Sequence, residues 1–209
     1  MKKSFVLLMI FFAGWSLSAQ KTISDVFDNG EVVWYGLDFS QAQFVEVVDS
    51  EDGEEIKDKW IPSWNDLIIR ESKKFDMGKF FKKKTVVNDL AAVKAVNQSI
   101  DETKIIVDSS TPFDDSEKTI ASAISEYEGG KQTEGLGLVF IVEYFDKSSL
   151  EGAFYVVFFD ISSKKTLLSK RMIQPPAGFG VRNYWAGTIY NSLRLIDKKE
   201  WKKWKKDNE

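Results

Sequence analysis

The chain of 209 residues contains no cysteine and no histidine. The fold therefore has no disulfide to lean on and must rest on its core. No thiol nucleophile exists, and no cysteine is present to carry a lipid anchor. The usual ligand sets of zinc, copper and haem are missing, as are Ser-His-Asp and Cys-His catalysis. Proline is scarce, at four residues, two of them adjacent as Pro175 and Pro176. Arginine is scarce as well: Arg70, Arg171, Arg182 and Arg194 stand against twenty-five lysines. No Walker loop and no complete dinucleotide fingerprint occurs. No metal and no cofactor is expected.

What is present begins with a leader. Lys2 and Lys3 precede a largely apolar run from Ser4 to Leu17, and the small residues Ser16, Ser18 and Ala19 follow. This pattern reads as a secretory signal peptide over 1–19, cut after Ala19, with a cut after Ser18 as the alternative. The apolar run is short for a membrane span and lacks a basic stop on its far side. Residues 20–209 then suffice for a single domain with its own core. The net charge of −3 becomes −5 once Lys2 and Lys3 are removed, so nothing draws the whole molecule toward nucleic acid. Export, to the periplasm or beyond, is the expected localisation.

Along the mature chain, residues 31–48 are rich in β-branched and aromatic side chains. The near-continuous run Val32–Tyr35 predicts a strand covered on both faces. Seven acids within 46–58 (Glu46, Asp49, Glu51, Asp52, Glu54, Glu55, Asp58) predict a solvated loop, whose spacing does not match a calcium loop. Pro62, Ser63 and Asp66 resemble a helix start over 61–83, and Gly78 is a point where that helix ends or bends. A shorter helix is predicted over 89–100, a strand over 103–108, and a third helix over 114–130 that Asp114 or Asp115 caps. Segments 135–149, 152–165 and 165–174 read as strands joined by short polar links, hence antiparallel hairpins. After the break PPAGFG, a long helix runs from about Val181 to Lys205. The expectation is an α+β domain. Its mixed, mainly antiparallel sheet of about five strands is packed by helices, the last of them long and C-terminal.

Three places compete for a functional role. The first is Gly178–Gly187, GFGVRNYWAG. Glycines at a helix start let backbone N–H groups approach an anion, and a lone arginine among lysines suits planar contacts. The candidate ligand-binding residues are Gly178, Gly180, Arg182, Asn183, Tyr184 and Trp185. The competing reading is a glycine-hinged strand-to-helix connection. Tyr184, Trp185, Ile189 and Leu193 then pack the helix on the sheet, and Arg182 pairs with an acid. The second place is the segment Asp197–Lys206, in which six lysines surround Trp201 and Trp204. It reads either as a peripheral contact with an anionic membrane through Lys198–Lys206, or as a helix end whose lysines suit the macrodipole and whose tryptophans cover the core. The third is the pair Asp114 and Asp115, a catalytic carboxylate couple or simply a cap.

The tail from Phe154 to Ile196 has a rhythm of its own. A strand ends in Asp160, a short lysine-bearing turn follows, a second strand runs out, and a helix opens with Asn183-Tyr184-Trp185. This resembles the envelope α/β domains of the curli-assembly lipoproteins and the amino-terminal domain of TolB, and it is similar to small exported proteins of Gram-negative bacteria. The resemblance implies a domain of the bacterial envelope and carries no catalytic residues across. Together these readings predict a non-enzymatic exported envelope protein that binds a protein or envelope partner. The alternatives are a small anionic-ligand module near Gly178–Trp185, and a hydrolase that would need paired carboxylates or a Ser–Lys pair in one cleft. With no histidine, stability is expected to be flat with pH near neutrality, strongly shifted carboxylates excepted.

Overall fold

The computed structural model describes residues 20–28, 30–47 and 52–208; the signal peptide expected over 1–19 lies outside them. The strands are β1 (Glu31–Asp38), β2 (Gln43–Val45), β3 (Thr85–Asn88), β4 (Leu136–Asp146), β5 (Glu151–Asp160) and β6 (Thr166–Gln174). They form one sheet in the order β3-β1-β4-β5-β6, and β2 pairs with the far end of β4, beyond the point where β1 stops. β1 lies parallel to β3 and β4, and β2 is parallel to β4. The two antiparallel ladders, β4 with β5 and β5 with β6, are the long ones. The helices are α1 (Ile23–Phe27), α2 (Gly53–Glu55), α3 (Ile61–Arg70), α4 (Met77–Phe80), α5 (Ala91–Gln98), α6 (Ser116–Ser125), α7 (Val181–Leu195) and α8 (Trp201–Lys206).

The continuous apolar strands make sense because helices cover both faces of the sheet. Alternate residues serve opposite cores. Val32, Trp34, Phe140, Phe154 and Phe158 join Trp64 of α3, Ile189 of α7 and Trp201 of α8 on one side. Val33, Tyr35, Val139, Val157 and Phe159 meet Val93 of α5 and Ile120, Ile124 and Tyr127 near α6 on the other.

The two hairpins share one turn, and its chemistry is visible in the sequence. Asp146-Lys147-Ser148-Ser149-Leu150 joins β4 to β5, and Asp160-Ile161-Ser162-Ser163-Lys164 joins β5 to β6. In each, the aspartate Oδ1 accepts from the hydroxyl two residues on and from the N–H three residues on. The fifth residue is left-handed, with φ +56 at Leu150 and +60 at Lys164.

Several predicted elements differ. The acidic segment is not a loop throughout: Asp52 caps α2 by accepting from Glu54 N–H, and residues 53–58 are helical. Asp49 and Glu51 fall outside the described residues. Between α2 and α3 lies a π-helical turn, Ile56–Trp60. Pro62 therefore sits early in α3 within a helical path that began upstream. The helix expected over 61–83 breaks at Glu71, and Asp76 starts α4 by capping Lys79 N–H. Gly78 is inside α4 rather than at its end. The strand expected over 103–108 is reduced to a single bridge from Ile106 to Phe44. β3, only four residues, escaped the sequence pattern because both its ends are exposed.

Because β3 is short, it leaves the outer edge of β1 bare past Trp34. Two side-chain amides complete it. Asn65 of α3 accepts from Leu37 N–H and donates to Leu37 C=O. Asn97 of α5 donates to the same carbonyl and accepts from Phe39 N–H. These buried asparagines substitute for a neighbouring strand and meet the demand that buried backbone groups be paired. Gly36, at φ +103, makes room for them: a Cβ there would collide with Asn65 Oδ1.

Candidate functional site

β1, β2 and β4 point their carboxyl ends toward the β4–β5 turn, and β6 delivers the chain to the same end of the sheet. There the connection Pro175–Gly180 folds back along α7. Ala177 N–H donates to Tyr184 C=O, and Asn191 Nδ2 donates to Pro175 C=O. Ala177 lies so close to α7 that a Cβ on Gly187 would strike its backbone. Gly178 and Gly180 both have positive φ, +132 and +75, and Gly180 is the residue before the first turn of α7. Glycine is needed at these two positions for backbone conformation.

The candidate residues divide between core and surface. Trp185 is 1% exposed and stacks on Phe145, with ring centres 4.8 Å apart and planes 8° from parallel. Tyr184 is half-buried and meets Trp185 edge-on. Asn183 Nδ2 donates back to Phe179 C=O, which stiffens the tip. Arg182 is exposed and forms no ion pair among the described residues, so the salt bridge considered for it is not seen. Gly180, Tyr184 and Trp185 line an open recess of about 320 Å³ with Val47, Lys147 and Val181; Gly178, Arg182 and Asn183 do not.

The planar arginine contact anticipated for Arg182 is made by Arg171 instead. Its Nε and Nη2 both donate to Glu143 Oε2, at 2.7 and 2.6 Å, while Oε1 accepts from Phe113 N–H. Glu143 is wholly buried. The signal for this pair was available, since Glu143 is the lone internal acid in an eleven-residue apolar strand. A second buried polar group was less legible. Asp38, at the end of β1, accepts from the Tyr127 hydroxyl and from Ser40 N–H. Burial drives its carboxyl above the ordinary value despite these bonds, and Tyr127 is driven well up by burial and by Asp38.

Two further places were singled out in the sequence. Asp115 caps α6 by accepting from Lys118 N–H. Asp114 and Asp115 line a wide polar depression with Gln41, Gln43 and Thr111. Trp201 and Trp204 are both buried in the core beneath α8, so they present no apolar face outward. They share that side with Ile189, Leu193 and Ile196, and Asp197 pairs with Lys82. Among the described residues, no group of three or more acidic side chains is placed to hold a metal ion, and no helix is long and apolar enough to cross a membrane.

What remains unusual at the strand ends is apolar exposure. Phe179, held between Gly178 and Gly180, is 95% exposed, and Leu150 of the neighbouring turn is 56% exposed. Comparison with protein families, with curated proteins and with solved structures gave no match to this chain.

Proposed function

We propose that the protein is a non-enzymatic, exported component of the bacterial envelope that binds a protein partner through the end of the sheet bearing Phe179 and Leu150. The observation that carries this reading is that these two side chains gain nothing for the fold. Phe179 is almost fully exposed on a tip whose turn Gly178 and Gly180 allow and whose carbonyl accepts from Asn183 Nδ2. Leu150 is exposed and also left-handed at φ +56, a conformation that costs a non-glycine residue about 1 kcal/mol. The equivalent position of the twin turn carries a lysine, Lys164. Aromatic side chains such as Phe179 are enriched at protein-binding surfaces, and such surfaces have an apolar centre to which Leu150 would add.

The leader-like pattern of residues 1–19 supports export. A second reading places a small anion in the recess between Lys147 and the first turn of α7, where Gly180 and Val181 lie.

A photo-crosslinking residue substituted at Phe179, at Leu150 and, as control, at exposed Lys73 tests the first reading in cells that express the protein. A discrete adduct from positions 179 and 150, absent from 73, is expected. Phe179→Ser should weaken binding of the captured partner at least about tenfold, with thermal stability unchanged. Equal adducts from all three positions, or none, would remove the proposal. A partner whose binding responds to neither Phe179→Ser nor Leu150→Ser but is displaced by inorganic phosphate would favour the recess.

A further inference from the structure

A second surface lies at the other end of α7, where the chain is most basic. α7 continues through a π-helical turn, Ile196–Glu200, into α8. Ten residues from Asp197 to Lys206 hold six lysines, in a chain whose net charge is −3. All six are exposed. The two acids inside the segment are occupied: Asp197 by Lys82 and Glu200 by Lys199. Lys198, Lys202, Lys203 and Lys206 have no carboxylate partner among the described residues. The helix macrodipole accounts for lysines in the last turn only, which leaves Lys198 and Lys202 unexplained by it.

The apolar side of the helix is fully spent. Trp201 packs edge-on to Phe81 at 5.5 Å and against Phe158 at 5.9 Å, and Trp204 is buried beside it. This anchoring holds the lysines outward on a rigid support. Lys79 and Lys82 of the adjoining α4 segment are exposed as well.

We infer that this lysine face is a docking surface for an anionic phospholipid bilayer. Among the described residues this face carries no exposed aromatic or large aliphatic anchor, which argues for lipid over protein. Protein interfaces are built around apolar cores and are depleted in lysine, whereas polybasic adhesion to anionic headgroups needs charge alone, at about 1 kcal/mol for each lysine near the surface. The contact is peripheral: the buried tryptophans cannot insert. It would place the Phe179 end of the molecule away from the patch, and it stands independently of what binds there.

The test is co-sedimentation of the full chain with vesicles of phosphatidylcholine alone and of phosphatidylcholine with phosphatidylglycerol in a two-to-one ratio. The comparison protein carries Lys198→Gln, Lys202→Gln, Lys203→Gln and Lys206→Gln. Glutamine keeps helix propensity, and circular dichroism confirms the fold. Residues 1–19 are the same in both proteins, so any apolar adhesion by them cancels. Binding to the anionic vesicles in excess of that to phosphatidylcholine alone is expected, the excess abolished by high salt, weakened at least about 100-fold by the four substitutions and untouched by Phe179→Ser. Equal binding to both vesicles, no binding at low salt, or unchanged binding by the variant overturns the inference. Tight, lysine-dependent retention on polyglutamate without vesicle binding would overturn it in favour of an acidic polypeptide.

Discussion

The arginine singled out in the sequence and one that was not have opposite fates. Arg171 closes on a carboxylate that has no access to water, and Arg182 stands in solvent with no partner among the described residues. Removing one member of a buried pair strands the other charge. Arg171→Ala should therefore lower unfolding free energy by about 3 kcal/mol, while Arg182→Ala should stay within about 0.5 kcal/mol; urea denaturation distinguishes them. Leu150 makes a converse case. Leu150→Gly relieves the left-handed strain and should raise stability by about 1 kcal/mol, while reducing partner crosslinking at that turn. A leucine that stabilises the protein when it is lost is hard to explain by folding. At Lys164 the same substitution should gain less, because Lys164 Nζ donates to Tyr127 C=O.

At the level of elements, the two π-helical turns have one cause. Ile56 and Ile61 are both buried, five residues apart, and so are Ile196 and Trp201. A regular helix of about 3.6 residues per turn would point the fifth residue away from the core. One extra residue in the turn brings it back. Deleting Lys199 should convert the second turn to ordinary helix, keep Trp201 inward and leave the melting temperature nearly unchanged. Deleting Lys202 instead shortens the step from Trp201 to Trp204 and rotates one tryptophan out. That loss should cost about 3 kcal/mol, visible as a drop in melting temperature and a red-shifted tryptophan emission.

Across the whole molecule, the dependence of stability on pH is governed by aspartates. Burial raises the Asp160 carboxyl, but Ser163, Lys21 N–H and Ser162 outweigh it and hold the group at about 2. A depressed value stabilises above the ordinary 3.8 and is lost as pH falls toward 2. Asp146, bonded to Ser148, Ser110 and Ser149, has the same sign. Asp38 has the opposite sign. Its raised value gives stability that is full below 3.8 and lost as pH rises through the folded-state value. Stability should therefore rise as pH falls through the folded-state value of Asp38 toward 3.8, and be lost through Asp160 as pH falls on toward 2. Asp38→Asn should remove the rise and leave the loss, as read from urea midpoints against pH. The flat profile expected from a histidine-free sequence excepts shifted carboxylates, and Asp38, buried against Tyr127, is one whose value is raised.

The amino-acid order by itself determined the three long strands, their two Asp-x-Ser-Ser turns, the caps at Asp115 and the glycine-hinged start of α7. In each of these the information is local: the side chain that fixes the backbone lies within about five residues of it. Only the tertiary structure decided the rest. Whether Arg171 or Arg182 met a carboxylate depended on which strand lay alongside. The role of Asn65 and Asn97 arose because β3 is too short to cover β1. Trp201 and Trp204 became core rather than a membrane-facing stripe because a π-helical turn rephased the helix against Phe81 and Phe158. Phe179 could be recognised as exposed only once the glycines on either side had turned it outward. Burial is a property of what packs from elsewhere in the chain, and no window of neighbouring residues contains it.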